Sequence, residues 1–165
     1  VRLLLDTQCW LWWFAQPDKL SENVIEQIAN ESNEVWFSVA SVWEMGIKVS
    51  IGKLPLPEQI DNYVSTRMTQ LGARSLEINA SHALRAAALP LHHRDPFDRM
   101  LIAQAQVEDM TLVSADSTFN QYEVSLLWAA SSGSSRLCVI ILAYGILKCL
   151  LGKTFRTILR NKLSV

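Results

Sequence analysis

The stretch Arg2-Leu3-Leu4-Leu5-Asp6-Thr7 sets a short apolar run directly against a carboxylate and a hydroxyl. An uninterrupted apolar run of this length suits a strand covered on both faces, since neither face then meets water. Working outward, similar runs recur at residues 34–37, 74–78, 110–113 and 124–127, and longer segments with helical spacing separate them. Ser21 followed by Val24, Ile25 and Ile28 predicts an N-capped helix, and Asn79-Ala80-Ser81 opens an alanine-rich segment that Pro90 stops. Leu54-Pro55-Leu56-Pro57 predicts a rigid elbow between two helices. Strands alternating with helices predict an α/β domain whose sheet is mostly parallel and covered by helices on both faces.

Half of the 165 residues are hydrophobic, enough for one domain with a sizeable core, which excludes disorder, collagen and coiled coil as the main class. Cys9, Cys138 and Cys149 are an odd number without a C-x-x-C pair, so neither a zinc knuckle nor a disulfide framework is expected. A reducing, cytoplasmic setting follows as the expectation. No secretory leader is predicted, because Val1-Arg2-Leu3-Leu4-Leu5 meets Asp6 before an apolar core can develop.

The net charge of −1 hides a division: residues 1–128 hold all 16 acidic and 9 basic residues, whereas 129–165 hold 6 bases and no acid. Ala129-Ala130-Ser131-Ser132-Gly133-Ser134-Ser135 has the composition of a flexible linker. A domain over 1–128, a linker over 129–135 and a tail over 136–165 are therefore predicted. In the tail, residues 137–147 are apolar all round, and Lys148, Lys153, Arg156, Arg160 and Lys162 then alternate with apolar residues. That run is shorter than the roughly 20 residues of a spanning helix. Three readings fit it: a basic helix on a membrane surface or partner, a short span aided by snorkelling lysines, or an extension from a shifted reading frame without selected function. The abrupt change of composition favours the last.

Four carboxylates stand out by position. Asp6 closes the first predicted strand and Asp116 follows the fourth, in Leu112-Val113-Ser114-Ala115-Asp116. Ligands of open parallel sheets bind outside the carboxyl ends of the strands, where both would lie. Glu44 interrupts the otherwise apolar or small helical stretch of residues 38–45, and Asp98 falls in the first turn of a helix opened by Asp95-Pro96. Singly, Asp98 and Asp116 read more readily as helix caps or dipole partners than as ligands, Asp6 could likewise be only a strand-to-helix cap, and Glu44 could equally be half of an ion pair. Together at one sheet edge they would raise one another's pKa values unless a cation neutralised them. Oxygen-only donors favour Mg²⁺ or Mn²⁺ over zinc, and carboxylate-bound divalent ions suit phosphodiester chemistry.

The segments Leu3-Leu4-Leu5-Asp6-Thr7, Ser41-Val42-Trp43-Glu44-Met45, His92-His93-Arg94-Asp95-Pro96-Phe97-Asp98-Arg99 with Ala103-Gln104-Ala105, and Leu112-Val113-Ser114-Ala115-Asp116 resemble the acidic motifs of PIN-domain ribonucleases. Within that family they resemble the VapC-type toxins of bacterial toxin–antitoxin modules, in order and spacing, across about residues 2–128. The resemblance implies a three-layer α/β/α fold, Mg²⁺- or Mn²⁺-dependent endonucleolysis of RNA, inhibition by a cognate antitoxin and a homodimer. It implies Asp6 and Asp98 as metal ligands, Glu44 as the group that orients or deprotonates the attacking water, and Asp116 as a further ligand or the holder of a second ion. Asp95 would open the helix behind them, and Thr7 and Ser114 would supply hydroxyl contacts.

His92, His93, Arg94 and Arg99 beside the acidic block are read either as contacts to the RNA backbone or as a solvated loop. Trp10, Trp12, Trp13 and Phe14 suit core or a protein interface better than base stacking. Two rival functions stay open: a catalytically silent PIN-like module binding RNA or an antitoxin, and a phosphatase or receiver domain. The second loses ground because Gln8, not an acid, stands two positions after Asp6.

Overall fold

The computed structural model describes residues 1–131. The five apolar runs become strands β1 (Arg2–Leu5), β2 (Glu34–Ser38), β3 (Arg74–Leu76), β4 (Thr111–Ser114) and β5 (Leu126–Trp128). They form one sheet of order β3-β2-β1-β4-β5 in which every neighbouring pair is parallel. Six helices supply the crossovers: α1 (Thr7–Ala15), α2 (Glu22–Ala29), α3 (Val39–Ser50), α4 (Ile60–Leu71), α5 (Ala80–Ala88) and α6 (Pro96–Val107). The proline-rich elbow lies between α3 and α4, and Ser21 caps α2. β3 stops two residues short of the expected run because its partner β2 ends at the Ser38–Leu76 pair and turns at once into α3. β5 starts later than expected because Val124 is held in a turn by Tyr122 O.

The period-two geometry of a strand divides the core into two layers. Leu3 and Leu5 of β1, Val35 and Phe37 of β2 and Val113 of β4 pack with Trp10, Ile25, Met45 and Val64 from α1 to α4. Leu4 and Leu112 point the other way, against Ala86 of α5 and Leu101 and Ile102 of α6. Of the crowded aromatics, Trp10 and Trp13 are buried, Trp10 stacking on Phe37 with ring centroids 4.0 Å apart. Cys9 is buried beside them, and burial first, then the Asp6 charge, push its thiol pKa up, so it stays protonated.

α4 ends in a Schellman motif. Gly72 adopts φ +69, its N–H reaches Thr69 O, and the Ala73 N–H reaches Met68 O. Nothing lies within 4 Å of where a Cβ would sit, so only backbone strain opposes a side chain there. Gly72→Ala is expected to lower the unfolding free energy by about 1 kcal/mol with an unchanged urea m-value. Equal midpoints for the two proteins would refute this.

The body continues past Trp128. Ala129 is fully buried, donates its N–H to Ser114 O at 2.9 Å and accepts from Ser21 N at 2.8 Å. Ala130 bridges Leu20, and Ser131 donates to Lys19 O. The first three residues of the expected linker are thus pinned by backbone hydrogen bonds, because small side chains let the chain lie against its neighbours. The rest of that linker, the tail, Cys138 and Cys149 lie outside the described residues. Among the described residues, no helix is long and apolar enough to cross a membrane.

Candidate active site

β1 and β4 are neighbours, and the strand order continues from them in opposite directions, which is where an open α/β sheet forms a crevice at its carboxyl ends. Asp6 leaves β1 as the N-cap of α1: its Oδ1 accepts from the Gln8 N–H at 3.1 Å and its Oδ2 from Ser114 Oγ at 2.6 Å. Asp6 is buried, only 7 % exposed as a residue. Burial raises its pKa, the bonds from Ser114 and Gln8 pull it down, and the charges of Glu44 and Asp116 push it up, with a net rise.

Glu44 enters from α3, nearly buried. Its Oε2 accepts from Thr7 Oγ1 at 2.6 Å, and its Oε1 holds the Lys48 ammonium one helical turn on. Ser38 caps α3 and donates its Oγ to Gln104 Oε1 at 2.6 Å, while Gln104 Nε2 donates to Glu77 O. Both residues are fully buried. This bond ties the helix carrying Glu44 to the helix carrying Asp98. Gln104 therefore has a positioning role inside the Ala103-Gln104-Ala105 block, where sequence reading noted only the motif.

Asp95 caps α6, accepting from the Phe97 N–H at 2.8 Å, and Asp98 follows in the first turn. His93 Nε2 stands 3.3 Å from Asp98 Oδ2 and 3.1 Å from Asp116 Oδ2. Its Nδ1 accepts the Asp95 N–H at 3.1 Å. A nitrogen that accepts an N–H carries no proton of its own, so the ring proton resides on Nε2 and bridges the two carboxylates. By distance alone, His93, Asp98 and Asp116 could surround a cation. The tautomer makes His93 a donor to those carboxylates and leaves the metal-binding atoms to oxygen.

Asp98 has its pKa raised to about 7, by burial first, then by the charges of Asp6 and Asp95, with His93 acting in the opposite sense. Asp116 behaves differently. Burial pushes it up, but the Thr118 N–H at 2.7 Å, the Thr118 hydroxyl and His93 outweigh that, and its pKa is lowered. Ser114 Oγ links the two strand ends, donating to Asp6 while accepting the Asp116 N–H at 3.0 Å. Thus Asp6, Glu44, Asp95, Asp98 and Asp116 line one cleft of about 460 Å³.

Of the basic residues beside the acidic block, only His93 reaches the cleft, where it holds Asp98 and Asp116. Arg99 spends its guanidinium on the carbonyls of Ala86, Leu89 and Pro90, bracing the α5–α6 connection. His93 is turned inward, and His92 and Arg94 are exposed, His92 edge-on to Tyr122. Among the described residues, Lys48 is the only lysine or arginine lining the cleft. Sequence reading missed it, although its i,i+4 spacing from Glu44 on a helix was the available signal. A second groove of about 370 Å³ adjoins the cleft, sharing Gln8, Leu11 and Trp12 and adding Phe14, Leu56 and Tyr63. The remaining two aromatics of the Trp10–Phe14 cluster thus line a surface.

A five-stranded parallel α/β/α sheet with carboxylates gathered at its switch point defines the class. Residues 3–124 match the PIN domain family, and the chain belongs to it. Ribonuclease VapC16 of Mycobacterium tuberculosis is 38% identical over 56 residues, 34% of this chain and 40% of that protein, so the similarity spans less than half of the relative's length. Among solved structures, VapBC2 of Rickettsia felis bound to a promoter DNA fragment superposes with a TM-score of 0.62 at 15% identity, covering 78% of this chain and 99% of that one. DNA-bound VapBC of Salmonella typhimurium superposes with a TM-score of 0.58 at 17% identity, covering 77% and 97%. At these identities the superpositions establish the shared fold.

Proposed function

We propose that this protein is a metal-dependent endoribonuclease acting as the toxin of a toxin–antitoxin pair. The observation that carries the proposal is the convergence of five carboxylates from β1, α3, α6 and the end of β4 on one cleft. The family match, the ribonuclease relative and the VapBC neighbours support the substrate and the setting. We place the activity in the packed body.

The donor set fits a hard divalent cation. The cleft presents carboxylate oxygens, one of them with its pKa raised to about 7 by burial and then by the neighbouring carboxylate charges, and the nearby imidazole points an N–H into it. Asp6, Asp98 and Asp116 would hold the ion, Mg²⁺ or Mn²⁺. When bound, it polarises the phosphodiester and lowers the pKa of water. The chain's own groups supply the positioning. Ser114 and the Gln8 N–H fix both oxygens of Asp6, Thr118 and His93 fix Asp116, and Asp95 anchors the turn that presents Asp98. Glu44, oriented by Thr7, faces the same space and is the group that orients water for in-line attack. We infer that a segment of the antitoxin would sit in the adjoining groove, whose lining is mainly apolar beside Gln8, Gln16, Tyr63 and Arg67.

The direct test is incubation of the full chain with total RNA in Mg²⁺ or Mn²⁺, with EDTA alongside, and mapping of the ends. Discrete cuts that EDTA abolishes are expected. RNA that stays intact, or cuts that survive EDTA, would defeat the proposal.

A further inference from the structure

The cleft carries five carboxylates yet, on the reading above, must admit a polyanion; Arg99 is engaged elsewhere, His92 and Arg94 are not in its lining, and His93 is held by two of its carboxylates. Lys48 is the exception. It follows Glu44 by one helical turn on α3 and lines the cleft, with its side chain 46 % exposed against 10 % for Glu44. Burial alone would lower its pKa, but its bond to Glu44 and the charges of Glu44, Asp95 and Asp98 raise it, so the ammonium is charged. A half-exposed ammonium on a four-carbon stem can exchange one oxygen partner for another within a few ångströms.

We propose that Lys48 is the substrate-phosphate contact of this cleft, and that engaging the phosphate draws its ammonium off Glu44 Oε1. The inference rests on the nuclease reading and adds to it a residue and a coupling. In the free protein both oxygens of Glu44 are occupied, Oε2 by Thr7 and Oε1 by Lys48. A phosphodiester oxygen arriving at the mouth competes for the ammonium, and its departure opens Oε1 to accept a hydrogen bond from water. Thr7 meanwhile holds the other oxygen, so Glu44 is freed without losing its orientation. One side chain thereby joins capture of the backbone to exposure of the carboxylate, and no bond is made or broken in the exchange.

The test compares wild type, Lys48→Met and Lys48→Arg, all full-length, on a short single-stranded RNA containing a cut mapped in total RNA. Steady-state cleavage gives KM and kcat, and binding in an Asp98→Asn background gives the slope of log affinity against log salt. Lys48→Met is expected to raise KM by about 10- to 100-fold, the loss of one charged hydrogen bond. It is also expected to flatten the salt slope by about 0.7, one single-strand phosphate contact. Lys48→Arg should recover most of both. If Lys48→Met lowers kcat alone, leaving KM and the salt slope at wild-type values, Lys48 merely holds Glu44 and the phosphate assignment is overturned. If wild type itself neither binds nor cuts RNA with divalent metal, the nuclease reading falls and takes this inference with it. Matching thermal unfolding of the three proteins excludes a folding defect as the source of any difference.

Discussion

Asp98→Asn protein is expected to cut RNA on the order of a thousandfold more slowly than wild type in saturating Mg²⁺, and Asp6→Asn protein likewise. The expectation rests on how the two carboxylates are held. Asp6 accepts a bond at each oxygen from its own helix and from β4, and Asp98 is tethered by His93 to Asp116. An asparagine keeps the size and much of the hydrogen bonding but removes the charge that offsets a cation. His93→Ala, which leaves every carboxylate in place, should have a smaller effect, about 10- to 100-fold, through weaker metal binding. Gel-based initial rates on a mapped single-stranded substrate decide the matter. Near-wild-type cleavage by either aspartate variant would remove that residue from the metal set.

Much of this site was legible because strands covered on both faces announce themselves. Leu3-Leu4-Leu5 and Leu112-Val113 have no polar alternation, so the residues that end them, Asp6 and Ser114-Ala115-Asp116, fall at the carboxyl ends of neighbouring strands. Glu44 and Asp98 were legible as charges placed in helical stretches that bury their other faces. What could not be read depends on groups far apart in sequence. Arg99 looks like an RNA contact until the fold brings three carbonyls from residues 86–90 around its guanidinium. The direction of His93 is set by one backbone N–H, that of Asp95, which no residue pattern encodes. The pairing of Ala129 and Ala130 with residues near Leu20 was also illegible, because small residues look alike in a linker and in a packed edge.

The second large effect concerns pH and metal together. In the unfolded chain Asp98 ionises near 3.8, and in the folded, metal-free protein near 7, because burial and the charges of Asp6 and Asp95 oppose its ionisation. Between these values the folded state binds more protons than the unfolded, so stability falls as pH rises from about 4 to about 7 and stays lower above. Asp6, also raised, acts in the same direction. Asp116, lowered by Thr118 and His93 against the pull of burial, contributes stability above its unfolded value and loses it only in acid, outside that window. A divalent ion binds the ionised folded form, so it competes with the proton and stabilises more at pH 8 than at pH 5. At a concentration 100 times its Kd the gain is about 2.7 kcal/mol. Thermal unfolding of EDTA-treated protein should therefore show a midpoint several degrees lower at pH 8 than at pH 5, restored by Mg²⁺ or Mn²⁺ at the higher pH. Asp98→Asn should raise the metal-free midpoint at pH 8 and abolish most of the response to metal, gaining stability with the same change that removes activity. A variant whose metal-free midpoint still fell across this range as steeply as wild type would show that the excess charge lies elsewhere than at Asp98.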